Sequence, residues 1–415
     1  MSASQDPSSQ QAIARWGINP MAPYLGGIAT WFLANGLQFV MVPTLVIITL
    51  GGTAGDLAAA QVALALPQVF LMMFAGSLAD KSDSRMILLW VNLLAAIPPI
   101  VLGWLTFSGQ LAYWHIIIFG LAMSASFAFM VPTRDALLSR VASGNIQNAV
   151  MLALIAQFAA QLMGYVLAGA AAPLAGPWAL LAMQTIALLI GFLLTLALPD
   201  FPPVPAQDEG ASGWQAGFSI VWKSTVMRPV ILSSVGTGIF FIGIFMVTLP
   251  LIVTDIFGGG QLEISILNFT FWGGTIISTV GMMARRPVER RGRAMMGALI
   301  VGCFALMLVP LAPSFAAVCA IAGAWGLAAG VNMTMARTIV QVEAPPEARG
   351  RVLAFYSLGF MGSAPVGATL SGIVTELIGP LATTFICAAS MLVLVSVLIA
   401  TTPVWRIMRH EDEPQ

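Results

Sequence analysis

Charged side chains are scarce in this sequence. Of its 415 residues, 8% are Asp, Glu, Lys or Arg, whereas 59% are hydrophobic. A soluble domain carries about 25% charged residues, so too few charges are present here to cover a water-exposed surface. The formal net charge is zero, which gives no indication of a nucleic-acid partner. The composition therefore excludes an ordinary soluble protein and predicts that most of the surface faces lipid.

Histidine and cysteine are also rare. The histidines are His115 and His410, and the three cysteines, Cys303, Cys319 and Cys387, lie inside apolar runs without metal-ligand spacing. A membrane enzyme would need a cluster of His, Asp, Glu or Ser–His within a span, and an ATP-driven pump would need a phosphate-binding loop. A receptor would need a sizeable soluble domain, and no loop is long enough. We therefore expect no enzymatic activity, no metal and no cofactor.

Long apolar runs dominate the rest of the chain. A membrane-spanning helix needs about 20 predominantly apolar residues, and the runs are continuous rather than alternating, which indicates helices and not strands. The sequence predicts twelve such spans. They lie near 22–49, 57–79, 86–107, 112–133, 147–172, 178–198, 229–256, 262–284, 294–312, 315–338, 351–376 and 380–402.

The basic residues fall on one side of this arrangement. With twelve spans and both termini on the same side, the six loops on the opposite side contain no Lys or Arg. Cytoplasmic loops carry an excess of these residues. We therefore expect a multi-pass protein of the bacterial inner membrane with both termini in the cytoplasm.

The two halves of the chain repeat each other. An ordered series of matches indicates two parallel six-helix repeats, an architecture typical of transporters. The sequence predicts two pseudo-symmetric bundles, 1–198 and 229–415, joined by a proline-rich and acidic cytoplasmic linker at 199–228. The matches are Arg134 with Arg337 and Gly164 with Gly367 at an offset of 203, and Pro43 with Pro250 and Asp56 with Glu263 at an offset of 207.

A signature loop follows the second span. The segment Gly76-Ser-Leu78-Ala-Asp80-Lys81-Ser-Asp83-Ser-Arg85 resembles the Gly-x-Leu-x-Asp-(Arg/Lys)-x-Gly-(Arg/Lys)-(Arg/Lys) loop of the major facilitator superfamily. The resemblance implies an all-α membrane protein with that fold. It also implies that Asp80 docks on the N-terminus of the eleventh span and on a basic residue of the fourth, Arg134 or Arg140, which holds the cytoplasmic ends shut. The gating residues implied are Gly76, Asp80, Lys81, Arg85, Arg134 and Asp135.

Two further segments suggest a subgroup. Val131-Pro132-Thr133-Arg134-Asp135, and the proline-rich stretch that begins at Ala344, are similar to the enterobactin-exporter and multidrug-exporter subgroup. This resemblance implies a secondary active transporter that exports its substrate by proton antiport and alternating access. Proton-coupled uptake of an organic solute remains the alternative. Asp135 is the candidate proton carrier, and a static ion pair with Arg134 explains it equally well.

The substrate cavity of this superfamily is lined by the first, fourth, seventh and tenth spans. No Lys, Arg, Asp or Glu lies at the middle of a span, so we expect an amphipathic or neutral organic substrate. Protons and membrane lipids are the other expected partners, nucleic acid is not, and a monomer is expected. Polar and aromatic side chains should face the interior, either as cavity residues or as packing contacts. The candidates are Trp31, Asn35, Gln38, Gln157, Gln161, Phe241, Phe245, Asn332 and Tyr356.

Overall fold

The computed structural model describes residues 20–142, 146–199, 219–283, 288–345 and 349–408. Twelve helices in these ranges are long and apolar enough to cross a membrane, as predicted. We number them α1 (Met21–Pro43, extended to Thr49), α2 (Ala54–Lys81), α3 (Ser84–Phe107), α4 (Tyr113–Val141), α5 (Ile146–Ala175), α6 (Pro177–Leu196), α7 (Met227–Ile256), α8 (Gln261–Met283), α9 (Arg291–Met307), α10 (Phe315–Glu343), α11 (Arg349–Gly362 and Ala364–Ile378) and α12 (Pro380–Thr401).

Helices α1 and α7 contain π-helical turns. In α1 the turn Thr44–Thr49 follows Pro43 directly. In α7 the last of several π-helical stretches, Ile252–Ile256, begins two residues after Pro250. Proline removes a backbone N–H donor, and π-turns in helices occur frequently at functional sites. Because Pro43 and Pro250 correspond in the repeat, the two halves share this departure from regular α-helix.

Turn geometry repeats in the same way. Gly51 and Gly258, which lie 207 residues apart, have φ angles of 64° and 63°. Gly176 and Gly379 have φ angles of 71° and 82°, and each is followed by a proline at the start of a helix. A positive φ favours glycine because it has no Cβ. The sequence repeat is therefore also a repeat of backbone conformation.

The first turns of α2 and α8 are capped identically. The carboxylate of Asp56 accepts a hydrogen bond from the Thr53 N–H at 2.8 Å, and that of Glu263 accepts one from the Gly260 N–H at 2.7 Å. Each acid is the third residue of its helix and bonds the residue just before it. A negative charge is also favourable at this position because of the helix dipole. Both acids therefore cap the first turn of their own helix.

The chain forms two compact units. The first comprises Met1–Leu50 and Ala63–Asp208, and the second comprises Gly51–Val62 and Glu209–Gln415. The start of α2 thus belongs to the second unit and its remainder to the first. The division into bundles 1–198 and 229–415 stays a prediction, and residues 200–218 of the expected linker lie outside the described part.

Close helix crossings in each unit depend on glycine. In the first unit α1 crosses α5 where Gly36 meets Gly164, and a Cβ on Gly164 would lie 2.6 Å from the Leu33 carbonyl oxygen. In the second unit α7 crosses α11 where Gly243 meets Gly367. Small residues let the backbones of membrane helices approach closely, which is a main source of packing energy in lipid. The repeat therefore preserves one crossing in both units.

Candidate gating and substrate sites

Arg134 and Asp135 form an ion pair near the C-terminal end of α4. The Nη2 and Nε atoms of Arg134 donate to Asp135 Oδ1 at 2.9 and 3.0 Å, and Nη1 donates to Gln157 Oε1 of α5 at 3.2 Å. The Arg134 guanidinium also lies 5.4 Å from the centre of the Phe32 ring, which is a cation–π contact. Its side chain is 16% exposed, whereas that of Asp135 is 59% exposed. A mostly buried cation is thus held by α1, α4 and α5, with a water-accessible carboxylate beside it.

A small cavity lies next to this pair, within the first unit. It has a volume of about 20 Å³, and Tyr24, Trp31, Asn92 and Arg134 are among the residues that line it. The Tyr24 hydroxyl donates to the Arg134 carbonyl oxygen at 3.1 Å, which ties α1 to α4. Trp31 is buried, and its ring centre lies 6.5 Å from that of Phe127. Trp31 therefore belongs to the same corner of the unit as Arg134.

Two of the predicted cavity residues, Asn35 and Gln38, lie on α1, and both are half-buried. The Gln38 Oε1 atom accepts a hydrogen bond of 2.9 Å from Nε2 of Gln184, a wholly buried residue of α6. Sequence reasoning missed Gln184, although a lone amide inside the apolar sixth span was the signal that could have found it. In α5, Gln161 donates to the buried Tyr165 hydroxyl at 2.8 Å.

Aromatic rings gather in the second unit. The rings of Phe245 and Phe271 are 4.6 Å apart, those of Phe271 and Trp325 are 4.5 Å apart, and Phe241 meets Trp325 edge-on at 5.6 Å. Trp272 completes the group, 5.6 Å from Phe271. These separations are typical of favourable aromatic pairs. We call these five residues, contributed by α7, α8 and α10, the aromatic cluster. The sequence identified Phe241 and Phe245 as candidates but missed Phe271 and Trp272.

Two unpartnered polar atoms lie on the helices of the aromatic cluster. The indole N–H of Trp272 and the Oδ1 atom of Asn332 are buried and have no hydrogen-bond partner among the described residues. Leaving such an atom unpaired costs about 1–3 kcal/mol. Asn332 follows Trp325 by two helical turns and so lies on the same face of α10. Tyr356, in the first part of α11, is half-buried and lies near Ser234 and Arg337.

The signature loop is described in part. Asp83 caps α3 by accepting the Arg85 N–H at 2.9 Å, and the Arg85 guanidinium donates to the carbonyl oxygen of Leu196 at 2.8 Å. Arg85 thus stabilises the C-terminal end of α6, where unpaired carbonyls favour a cation. The side chains of Gly76, Asp80 and Lys81 lie outside the described part, and so does that of Arg140, one of the two partners predicted for Asp80; the contact predicted for Asp80 therefore stays a prediction.

Residues 37–414 match the family described as "Transmembrane secretion effector". The chain belongs to this family of major facilitator superfamily transporters. It is therefore a multi-pass membrane transporter and not an enzyme. No curated protein sequence matches this member of the family at a significant level.

Solved transporters share the fold of this family member. A mutant of the nucleoside transporter NupG is similar with a TM-score of 0.75 at 14% identity, covering 92% of this chain and 99% of that one. A POT family transporter in complex with 5-aminolevulinic acid gives 0.73 at 13% identity, covering 96% and 100%. A bacterial homolog of the human lysosomal transporter Spinster gives 0.65 at 13% identity, covering 93% and 96%. At these identities the likeness shows the fold alone.

Proposed function

We propose that this transporter is a proton-coupled exporter of small amphipathic or neutral organic compounds, working by alternating access in a bacterial inner membrane. The aromatic cluster is the observation that carries this proposal. Phe241, Phe271 and Trp325 are buried, whereas Phe245 and Trp272 are half-buried and are the rings that would contact a substrate. The Trp272 N–H and the Asn332 Oδ1 atom add one unpaired donor and one unpaired acceptor. Such a group of side chains suits a partly aromatic molecule with few polar groups, and it offers no charge to a sugar phosphate or a dicarboxylate.

The first unit contributes amides to the substrate pathway in this proposal. Gln38 is oriented by Gln184, and Asn35 lies one helical turn before Gln38 on α1. We include Trp31, Gln157, Gln161, Phe241 and Tyr356 as further residues of the pathway. Arg134 and Asp135 form its ionisable part. Because the Asp135 carboxylate is exposed while its partner is largely buried, the proton carrier we propose is Asp135.

One observation favours export over uptake. The family description, "Transmembrane secretion effector", refers to secretion. The absence of Lys and Arg from six alternate loops supports cytoplasmic termini, which suit either direction of transport. We further propose that the protein acts as a monomer, and that the Asp80 loop closes its cytoplasmic ends.

Reconstituted vesicles with an imposed pH gradient test the proposal. The purified transporter is offered neutral and monocationic aromatic compounds of matched size, with a dicarboxylate as the control solute. Proton antiport predicts accumulation of the aromatic compounds when the lumen is acidic, and no accumulation of the dicarboxylate. Accumulation driven by an acidic exterior would identify the uptake symporter instead. Transport of the dicarboxylate in preference to the aromatic compounds would contradict the substrate class.

A further inference from the structure

A carboxylate from α11 sits on the N-terminus of α2. The Oε1 atom of Glu376 accepts hydrogen bonds from the Gly55 N–H and from the Thr53 hydroxyl, both at 2.9 Å. Glu376 lies in the last turn of α11, and Gly55 lies in the first turn of α2. The first backbone N–H groups of a helix have no partner within it, and they favour a negative charge. Glu376 thus supplies one helix with a cap from another.

The local cap of α2 leaves donors available for Glu376. Asp56 takes the Thr53 N–H at 2.8 Å, and the Thr53 hydroxyl oxygen accepts the Asp56 N–H at 3.2 Å. A hydroxyl has one proton, and its shorter contact, 2.9 Å, is to Glu376 rather than to Asp56 at 3.2 Å. The capping box therefore turns the Thr53 hydroxyl toward α11.

Small residues bring α2 and α11 close together beside the contact. A Cβ on Gly55 would occupy the place of the Glu376 carboxylate, and a Cβ on Gly372 would meet Ala58, which is buried. A groove of about 220 Å³ runs alongside, lined by residues that include Ala59 and Ile373. The two hydrogen bonds to Glu376 therefore add charge-dependent contacts to a close helix packing.

The repeat-related half cannot make this contact. At the repeat offset of 207 the counterpart of Gly55 is Leu262, and at the offset of 203 the counterpart of Glu376 is Pro173. Leucine would fill the space that a carboxylate needs, and proline has no acceptor in its side chain. The N-terminus of α8 has its own cap, Glu263.

We propose that Glu376 is a one-sided latch that holds the segment Gly51–Val62 on α11, and that it opens during the transport cycle. This inference rests on the proposed alternating-access function. The segment packs as part of the second unit, while α2 from Ala63 onward belongs to the first. A helix shared in this way must change partners when its units move. Removing the latch charge from an exposed helix end should shift the docked population about twofold to fivefold.

Cross-linking across the groove measures the docked population directly. In a background with the three buried cysteines replaced, Ala59→Cys and Ile373→Cys provide the cross-linking pair on opposite walls of the groove. A short bifunctional thiol reagent is added to the resting protein, without substrate or a proton gradient. Glu376→Leu and Gly55→Leu should each slow cross-linking about twofold to fivefold. The matched control Glu263→Gln, which loses only a cap within its own helix, should cross-link as fast as the parent.

The outcomes separate the latch from the proposed function. If Glu376→Leu cross-links as fast as the parent, or if Glu263→Gln slows cross-linking equally, the latch is wrong. The cross-linked parent should also lose transport and regain it when a cleavable reagent is cleaved. Full transport in the cross-linked state would show that the contact never opens in the cycle. If the parent moves no solute in any gradient while the cross-linking differences persist, the proposed function fails and the latch contact stands.

Discussion

The side-chain amide of Gln184 donates a 2.9 Å hydrogen bond to Gln38, so a wholly buried residue of α6 orients a half-buried residue of α1. The Gln184 Oε1 atom has no partner among the described residues. An unpaired buried oxygen is energetically unfavourable, so we infer that the Gln184 amide is retained because it positions Gln38. With its oxygen engaged, Gln38 presents N–H donors to an acceptor oxygen.

The first prediction follows from this pair. Gln184→Leu should raise the KM for transport about fivefold, which corresponds to the loss of one hydrogen bond of about 1 kcal/mol. Its stability should change little, because the substitution also removes the unpaired buried oxygen. Transport kinetics and thermal unfolding in detergent measure the two effects. Loss of stability with an unchanged KM would show that Gln184 is a packing residue.

The second prediction concerns the Arg134–Asp135 pair. Asp135→Asn should abolish accumulation driven by a pH gradient, because an amide cannot carry the proton. Exchange of labelled for unlabelled substrate at equal pH should persist, since it needs no net proton movement. Asp255→Asn is the control, because Asp255 is also exposed and bonded to a neighbouring side chain, the Thr254 hydroxyl at 2.8 Å. Gradient-driven transport in Asp135→Asn would assign the pair a static role.

The third prediction tests the glycine crossing of α1 and α5. Gly164→Ala should lower the free energy of unfolding by about 1–3 kcal/mol, because the added methyl group meets the α1 backbone. Gly297 of α9 has open space where its Cβ would lie, so Gly297→Ala should be neutral or stabilising by up to about 1 kcal/mol. Thermal unfolding of both variants in the same detergent makes the comparison. Equal effects would mean that helix propensity, not the crossing, sets the cost.

The fourth prediction concerns topology. Single cysteines introduced by Asp208→Cys and Gly260→Cys should react with a membrane-impermeant reagent from opposite sides of the membrane. The reason is that Lys and Arg are absent from all loops on the side of Gly260. Labelling in whole cells and in inverted vesicles distinguishes the two sides. Reaction of both cysteines from the outside would refute cytoplasmic termini.

The fifth prediction concerns the signature loop. Asp80→Asn should shift the transporter toward the state that is open to the cytoplasm and impair transport, while the protein remains folded and inserted. Arg285 lies 205 residues after Asp80, the offset at which Gly281 and Arg290 match Gly76 and Arg85. A cation there cannot favour a helix N-terminus, so Arg285→Asn should have a much smaller effect. Distances between spin labels on α2 and α11 measure the shift. An equal change of the label distances in both variants would disprove the prediction that the Asp80 loop and its repeat-related copy differ in function.

The helices could be predicted from the sequence because a membrane span requires only a continuous apolar run of sufficient length. Continuous apolar length decides a span, and all twelve predicted spans are confirmed. Helices α4 and α10 run about eight and five residues beyond the predicted ends at 133 and 338, because amphipathic turns continue a helix where hydropathy falls. The repeat could also be detected in the sequence, since the turn glycines and the capping acids recur at fixed offsets.

Side-chain partners across helices were much harder to predict. Gln184, Phe271 and Trp272 look like ordinary residues of apolar spans, and their roles depend on how the helices rotate against each other. The contact of Glu376 was not predicted, because its partners Thr53 and Gly55 lie more than three hundred residues earlier in the chain. Periodicity indicates which face of a helix is polar but not which helix meets that face.

The π-turns after Pro43 and within α7 have a mechanical consequence. A π-turn accommodates one more residue than an α-turn, so its conversion to α-helix rotates everything beyond it by about 100° relative to the helix before it. The C-terminal ends of α1 and α7 can therefore twist by changing hydrogen-bond register, without breaking the helix. Leu45 and Val46 in α1, and Ile252 and Val253 in α7, are buried side chains on these turns. Such a register change would rotate these side chains about the helix axis and so exchange the residues against which they pack.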